Sequence, residues 1–199
     1  KAAQSPLVEK IYVAPGNPGT AREAKVENVA ISATDVPALV AFAQKEQIGL
    51  TIVGPEAPLV IGVVDAFRAA GLTIFGPTQA AAQLETSKQY AKAFMQRHGL
   101  PTAAYESFTD AAAAHAYVDR CGAPIVIKAD GLAAGKGVVV ATGLPEAHAA
   151  VEQMLVQSKL GEAGRRIVIE ECLAGDEASF IVMVDGRNVL PLATSQDHK

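Results

Sequence analysis

The chain has 199 residues, half of them hydrophobic, and a formal net charge of −4 at pH 7. This length allows one large or two small domains with a buried core. Acidic and basic residues are interspersed, which argues against nucleic acid as a partner, and neither a membrane-length apolar run nor a signal peptide is visible. Cys121 and Cys172 match no metal or redox spacing, so we expect a cytoplasmic α/β protein with reduced thiols.

The first hundred residues alternate short apolar runs with helical patterns. We expect strands over 11–14, 29–31, 50–53 and 72–75, a helix capped by Thr34 or Asp35, and a helix over 60–70. This βαβαβ order predicts a parallel sheet with right-handed crossovers.

Three turns rich in glycine and proline follow strands of this sheet: PGNPG, GPEAP and FGP. Open parallel sheets bind ligands beyond the carboxyl ends of their strands. The three turns together, one of which carries the carboxylate of Glu56, therefore favour a small polar ligand, although turn chemistry alone also explains such sequences.

A further helix is expected to begin at Thr86 or Ser87, with Lys88 in its first turn. A cation is not what the positive end of a helix dipole favours, so a nearby anion would explain Lys88. A solvated surface lysine is the alternative.

A second unit is expected from Thr102 onwards, with strands over 103–108 and 167–171 and helices over 109–121 and 145–156. Together with a central hairpin they predict two helices against a small, largely antiparallel sheet. His115 and His148 have no partner at a suitable spacing, and we expect both at the surface.

The central hairpin is the stretch PIVIKADGLAAGKGVVVA, residues 124–141. Its first strand delivers Lys128, and its loop carries Gly131, Gly135, Lys136 and Gly137. Glycine lets backbone N–H groups approach an anion and lysine supplies charge, so this loop predicts a polyphosphate site. It is neither a P-loop nor a dinucleotide fingerprint, because both motifs lead into a helix and the glycine spacing differs. A flexible hairpin with a solvated lysine is the alternative.

An acidic hinge follows the strand over 167–171. Glu170, Glu171 and Glu177 could accept hydrogen bonds from an adenine amino group and ribose hydroxyls, while backbone atoms of the hinge bind the edge of the ring. A solvated acidic face is the alternative. Beyond it, a strand over 179–184 and the Asp185–Gly186 turn predict a second hairpin.

The order of these motifs resembles the ATP-grasp ligases. More narrowly, PGNPGT, IVGPEAPL, FGPT, IVIKADGLAAGKGVVVA, IVIEECLAGDEASF and TSQDHK resemble the phosphoribosylamine–glycine ligase family across essentially the whole chain. The resemblance implies an α/β fold in three parts. These are an N-terminal three-layer parallel-sheet domain with a linker helix over 1–101, an α+β ATP-grasp lid subdomain over 102–173, and the start of the large ATP-grasp subdomain over 174–199.

The family reaction joins glycine to 5-phosphoribosylamine in purine biosynthesis, with ATP converted to ADP and phosphate through glycyl phosphate. It implies ATP, glycine and phosphoribosylamine as ligands, Mg²⁺ or Mn²⁺, and a monomer. We expect the family's glycine-rich N-terminal motif to precede Lys1, its metal ligands to lie beyond residue 199, and this stretch alone to be inactive. Another ATP-grasp ligase acting on a different carboxylate and a non-catalytic nucleotide-binding module are the alternative functions.

The resemblance also implies roles for individual residues. Lys128, as the catalytic lysine, and Lys88 would bind ATP phosphates, and Glu170, Glu171, Leu173 and Glu177 would hold the adenosine. The flap closing over the phosphates would comprise Asp130, Gly131, Gly135, Lys136 and Gly137. Contacts to phosphoribosylamine or glycine would come from Gly16, Asn17, Glu56, Asp197 and Lys199. Cys172 lies where family members often carry an aromatic residue.

Overall fold

The computed structural model describes residues 1–133 and 135–196. Its α-helices are α1 (Val36–Lys45), α2 (Glu56–Val60), α3 (Val63–Ala69), α4 (Gln79–Thr86), α5 (Lys88–Arg97), α6 (Ala111–Cys121) and α7 (Leu144–Val151). Its strands are β1 (Ile11–Val13), β2 (Val26–Asn28), β3 (Thr51–Ile52), β4 (Ile74–Phe75), β5 (Tyr105–Phe108), β6 (Ile125–Ala129), β7 (Val138–Ala141), β8 (Ile167–Glu171), β9 (Ala178–Ser179), β10 (Val182–Val184), β11 (Val189–Pro191) and β12 (Ser195–Gln196). Within these residues, no helix combines the length and the apolar character that crossing a membrane requires.

The first four strands pair in parallel, as the alternating pattern predicts, but the single sheet expected was wrong: they form two separate two-stranded sheets, β1–β2 and β3–β4. The strand expected over 29–31 lies earlier, at Val26–Asn28. The chain turns directly after it, because the Ile31 N–H bonds back to the Val29 carbonyl at 2.7 Å. A residue held in so tight a turn cannot continue a β-ladder.

The helix expected over 60–70 is two helices, α2 and α3. Gly62 separates them in a left-handed conformation, with φ of +83°, which a continuous right-handed helix cannot include. Their apolar residues pack with α1 and β4 in a small core of buried side chains: Ala43, Val63, Val64, Phe67 and Ile74.

Two consecutive helices, α4 and α5, connect this region to the next. The sequence patterns did not predict α4, which begins where the Thr78 hydroxyl accepts a hydrogen bond from the Ala81 N–H. Ser87 ends α4 and caps α5, since its hydroxyl accepts from the Tyr90 N–H at 3.0 Å. Of the two candidate caps, Ser87 is therefore the one used, and Lys88 becomes the first residue of α5.

A four-stranded antiparallel sheet with the order β5-β8-β6-β7 forms the second region, as expected. Burial alternates along β6, so Ile125, Ile127 and Ala129 share one face of the sheet. Helices α6 and α7 cover that face, and the core they enclose includes Ala114, Val118, Ala147, Val151, Ile167 and Ile169. Lys128 and Glu170 consequently lie on the opposite face, toward α5.

Three details of this region differ from the expectations. The helix expected over 109–121 begins at Ala111, because Asp110 is its cap: the Asp110 carboxylate accepts from the Ala113 N–H at 2.8 Å. The helix expected over 145–156 is α-helical only to Val151 and continues as a π-helix over Glu152–Val156. The strand expected over 179–184 is divided into β9, which pairs with β12, and β10, which pairs with β11.

His115 and His148 are both partly exposed, in keeping with the expected surface location, but they also contact each other, which their sequence spacing did not indicate. Their Nδ1 atoms lie 2.7 Å apart between α6 and α7, and both rings are only partly exposed. The remaining ring nitrogens contact carboxylates at 2.9 Å, His115 with Glu152 and His148 with Asp119. The two histidines therefore connect the helices that cover the sheet, a contact invisible to sequence spacing because the residues lie 33 positions apart.

Candidate functional site

Glu170 is the centre of a cluster on the open face of the four-stranded sheet. Its Oε2 atom lies 3.0 Å from Lys128 Nζ on β6 and 2.9 Å from Lys92 Nζ on α5. Glu170 and Lys92 are 5% and 6% exposed, whereas the Lys128 side chain is 28% exposed. The buried carboxylate is thus paired with two cations, of which only Lys128 is open to a ligand.

Lys92 was missed by the sequence analysis. It also donates to Thr102 Oγ1 at 2.8 Å and to the Ala103 carbonyl at 3.1 Å. Lys92 lies four positions after Lys88, and residues at that spacing share a helix face. That spacing was the available signal, but nothing in the sequence indicates that a carboxylate 78 positions later would bury it.

Asp130 joins the root of the glycine loop to the N-terminus of α5. Its Oδ1 accepts from the Gln89 N–H at 2.8 Å and from Ser87 Oγ at 3.0 Å, and its backbone carbonyl accepts from the Lys88 N–H at 3.2 Å. A carboxylate at this position is stabilised by the helix dipole. Arg166 lies 3.6 Å from Oδ2. The Asp130 carboxylate therefore positions the loop against α5, and the neighbouring lysines remain the candidates for binding an anion.

Lys88 points across the same junction. Its Nζ donates to the Gly131 carbonyl at 3.3 Å. Burial lowers the pKa of Lys88, the charge of Asp130 opposes this effect, and the neighbouring charge of Lys128 adds to it. The negative charge near Lys88 therefore does not fully offset the cost of burying its ammonium group. A bound anion would balance the charge of Lys88. Such an anion would also explain why a cation occupies the positive end of the α5 dipole.

The glycine loop is packed closely at its two ends and open between them. A Cβ added to Gly131 would lie 2.9 Å from Ala163 Cα, and one added to Gly137 would lie 2.6 Å from Ala133 Cβ. Gly135, by contrast, has φ of +77°, and among the described residues no atom would lie within 4 Å of an added Cβ. Lys136 beside it is exposed. The close packing at Gly131 and Gly137 therefore fixes the two ends of the loop, while the Gly135 backbone and the Lys136 side chain face solvent.

An apolar strip runs beside the lysine–glutamate cluster. Val138 and Val140 are 47% and 54% exposed and pair with Lys128 and Val126 respectively, so all four share the open face. Val126 also pairs with Glu170. A flat apolar surface with a carboxylate at its edge suits an aromatic ring that carries an amino group.

The hinge residues after β8 lie in a largely exposed segment. The Glu171 N–H donates to the Ala104 carbonyl at 2.9 Å, and its Oε2 accepts from the Ala104 N–H at 3.4 Å. Leu173 is 66% exposed, and Glu177 is exposed as well. Glu171 therefore ties the end of β8 to the segment before β5, next to Glu170.

The candidates in the first region do not join this cluster through any hydrogen bond of the described residues. Asn17 Oδ1 accepts from the Gly19 and Thr20 N–H groups at 2.8 and 3.0 Å, which fixes the PGNPGT turn. Gly16 has φ of +75°, and an added Cβ would overlap the Asn28 side chain. Glu56 is the exposed first residue of α2. The other two substrate candidates, Asp197 and Lys199, lie outside the described residues.

Metal binding does not fit the described residues. Across 1–133 and 135–196, no group of three or more His, Cys, Asp and Glu side chains could hold a metal ion. The best-placed carboxylates, Asp130 and Glu170, already accept from protein donors. Mg²⁺ prefers several oxygen ligands in octahedral geometry, which this cluster does not offer.

The fold is similar to that of ATP-grasp enzymes. A crystal structure of carboxyaminoimidazole ribonucleotide synthase from Aspergillus clavatus complexed with ATP matches with a TM-score of 0.65 at 16% identity, covering 89% of this chain and 44% of that one. A crystal structure of phosphoribosylamine–glycine ligase from Thermotoga maritima matches with a TM-score of 0.75 at 27% identity, covering 93% and 43%. The fold and the lysine-flanked glycine loop thus define a chain of the ATP-grasp class.

The family follows from sequence. A model of the phosphoribosylglycinamide synthetase N domain matches residues 1–85, and a model of the ATP-grasp (A) domain of the same synthetase matches residues 86–199. Phosphoribosylamine–glycine ligase of Pasteurella multocida is 71% identical over all 199 residues, which correspond to 46% of that protein. The chain therefore belongs to the phosphoribosylglycinamide synthetase family, and it spans about half the length of the curated relatives it matches.

Proposed function

We propose that the protein to which this chain belongs joins glycine to 5-phosphoribosylamine at the expense of ATP, giving glycinamide ribonucleotide, ADP and phosphate in purine biosynthesis. The observation that carries the proposal is the convergence of Lys88 and Lys128 at the root of the glycine loop, beside an exposed valine strip. Membership of the family supports the choice of substrates.

The arrangement supports one orientation for ATP. The phosphates would lie between Lys88 and Lys128, with the N–H groups of the glycine loop and Lys136 above them. The adenine would lie on Val138 and Val140 with its amino group toward Glu170. Backbone groups at Glu171 and Leu173 would bind the ring edge, and Glu177 the ribose.

The chemistry explains the need for ATP. A carboxylate is a poor acylating agent, and transfer of the terminal phosphoryl group to glycine gives an acyl phosphate with a good leaving group. Attack by the amine of phosphoribosylamine then forms the amide and releases phosphate. Lys128 and Lys88 would neutralise charge on the phosphates, and closure of the loop over the acyl phosphate would exclude water. The described residues offer the metal ion no suitable site.

The remaining assignments are proposed on the family resemblance. Contacts to phosphoribosylamine or glycine would come from Gly16, Asn17, Glu56, Asp197 and Lys199. The domains would span 1–101, 102–173 and 174–199. The separate α/β and antiparallel regions around a linking α5 support the first boundary. We propose a cytoplasmic monomer.

The full-length protein tests the proposal. ADP release should require ATP, glycine and freshly generated phosphoribosylamine together. Release that accepts a different carboxylate in place of glycine would indicate another ATP-grasp ligase, and ATP binding without any release would indicate a nucleotide-binding module.

A variant pair tests the site itself. Lys128→Met should weaken ATP binding by about 1.5–3 kcal/mol, or about ten- to 150-fold in Kd, because a charge-assisted contact is lost. Lys45→Met is the matched control, since that side chain is 78% exposed on α1. Equal ATP affinity in both variants would contradict the role of Lys128.

A further inference from the structure

Lys92 uses its ammonium group completely within the protein. A lysine ammonium has three N–H donors. Those of Lys92 are directed at Glu170 Oε2, Thr102 Oγ1 and the Ala103 carbonyl, at 2.9, 2.8 and 3.1 Å. With 6% exposure and no donor left over, Lys92 has nothing to offer a ligand. Its role must therefore act through one of the groups that it holds.

Lys128 contacts the same oxygen of Glu170 but, unlike Lys92, is partly exposed to solvent. Its contact with Glu170 Oε2 at 3.0 Å occupies one of three donors, and its side chain is 28% exposed. A polyphosphate bound at the glycine loop would compete with Glu170 for Lys128, because it carries more negative charge and is reached from solvent. Glu170 would then keep Lys92 as its cation.

The consequence for Glu170 depends on burial. A buried carboxylate without a cation is strongly disfavoured in its ionised form and tends to take up a proton. With Lys92 in place, Glu170 stays ionised and acts only as a hydrogen-bond acceptor. An ionised acceptor attracts the exocyclic amino group of adenine and repels the oxygen that occupies the same position on a 6-oxopurine.

We propose that Lys92 is a positioning residue for recognition of the nucleotide base: it holds Glu170 ionised and in place after Lys128 transfers to the phosphates, and so sets the preference for a 6-aminopurine. This inference rests on the proposed ATP-dependent function. Lys92 does not contact the nucleotide, and it affects base recognition only through Glu170.

The variant Lys92→Met, in the full-length protein, removes the cation and keeps the apolar stem. The KM for ATP should rise about tenfold with kcat at saturation little changed, because the phosphate-binding lysines remain. The ratio of kcat/KM for ATP to that for GTP should fall by about tenfold or more, since a protonated Glu170 can donate to a 6-oxo group.

Two further variants separate positioning from folding. Lys92→Arg keeps the charge and should recover most of the ATP preference, and Lys45→Met should behave as wild type. If Lys92→Met does not fold, Thr102→Val removes only one of the groups that fix Lys92 and should lower the ATP preference by a smaller factor.

The outcomes are distinguishable. A folded Lys92→Met protein with the wild-type KM for ATP and the wild-type ATP preference would overturn the inference and leave the proposed function intact. The same holds for an unchanged preference in Thr102→Val where Lys92→Met fails to fold. Absence of ligase turnover in the wild type would overturn the proposed function and the role of Lys92 with it.

Discussion

Two β-hairpins in this chain have similar sequences and different environments. The hairpin β6–β7 is built from IVIKA and VVVA, and its Ile127 is fully buried. The hairpin β10–β11 is built from VMV and VLP, and its Met183 and Leu190 are 44% and 61% exposed. Both have the β-branched or apolar residues that favour strands. Such a pattern thus predicts a strand, but only the elements that cover it decide its burial.

The connections of the two hairpins differ in the same way. The glycine loop of β6–β7 is fixed by outside contacts, with Gly131 against Ala163 and Asp130 on the N-terminus of α5. The turn of β10–β11 is held from within, by the carboxylate of Asp185. A loop attached to other elements can carry lysines at defined positions, which is why the candidate site lies at the first hairpin.

Truncating one apolar residue in each hairpin should give the largest contrast. Ile127→Ala should lower the free energy of unfolding by about 3–4 kcal/mol, because it leaves a cavity under α6 and α7. Met183→Ala removes a side chain that is 44% exposed and should cost less than about 1 kcal/mol. Urea unfolding followed by circular dichroism measures both. Similar losses would mean that the second hairpin is covered in solution.

Adding a methyl group to the connection of each hairpin should give a smaller difference in the free energy of unfolding. Gly131→Ala should destabilise by about 1–3 kcal/mol, since the new Cβ would lie 2.9 Å from the Ala163 backbone. Gly186→Ala should cost about 1 kcal/mol for a different reason, its φ of +95°. Thermal unfolding of both variants provides the measurement.

Gly54→Ala serves as the control for these substitutions. Its added Cβ has no neighbour within 4 Å and its φ is not in the left-handed region, so it should be neutral or slightly stabilising. A neutral Gly131→Ala would show that the base of the glycine loop adjusts freely, which would remove the argument that outside contacts fix it.

The hairpins also show how far the sequence could lead. The runs IVIK and IVIEE predicted β6 and β8 well, because each is long, apolar and bounded by turn residues. Helix α4 was missed because its sequence, QAAAQLET, contains a single large apolar residue, and its Thr78 cap was the clearest signal. Local patterns therefore predicted the elements whose sequence signal is complete within a few consecutive residues.

The candidate site divides in the same manner. Lys128 and the glycines were found because they form one continuous motif. Lys92 was missed because a lysine on a helix is usually solvated, and its burial depends on Glu170, which only the fold brings to 2.9 Å. The contact of Asp130 with the N-terminus of α5 was also unpredictable, since it joins residues 41 and 43 positions apart whose relative placement only the fold determines.

The smallest expected effect concerns the turn of the exposed hairpin. The Asp185 carboxylate accepts from the Asn188 N–H at 2.7 Å, the Asn188 side-chain amide at 2.9 Å and the Arg187 N–H at 2.9 Å. These hydrogen bonds, the Asn188 backbone bond foremost, lower the pKa of Asp185 from 3.8 to about 2. Because the folded pKa lies below the unfolded one, the carboxylate stabilises the hairpin above pH 3.8 and loses this contribution as the pH falls toward 2.

The carboxyl carbon shift of Asp185, followed by NMR from pH 5 to pH 1.5, should therefore titrate near pH 2, and the cross-strand contacts of β10–β11 should weaken over the same range. Asp185→Asn should remove that pH dependence of the hairpin, whereas Asp176→Asn, in the segment before β9, should leave it in place. Titration near 3.8 would mean that the turn is not held by its own carboxylate. The second hairpin would then depend on outside contacts as the first one does, and the contrast between the two connections would fail.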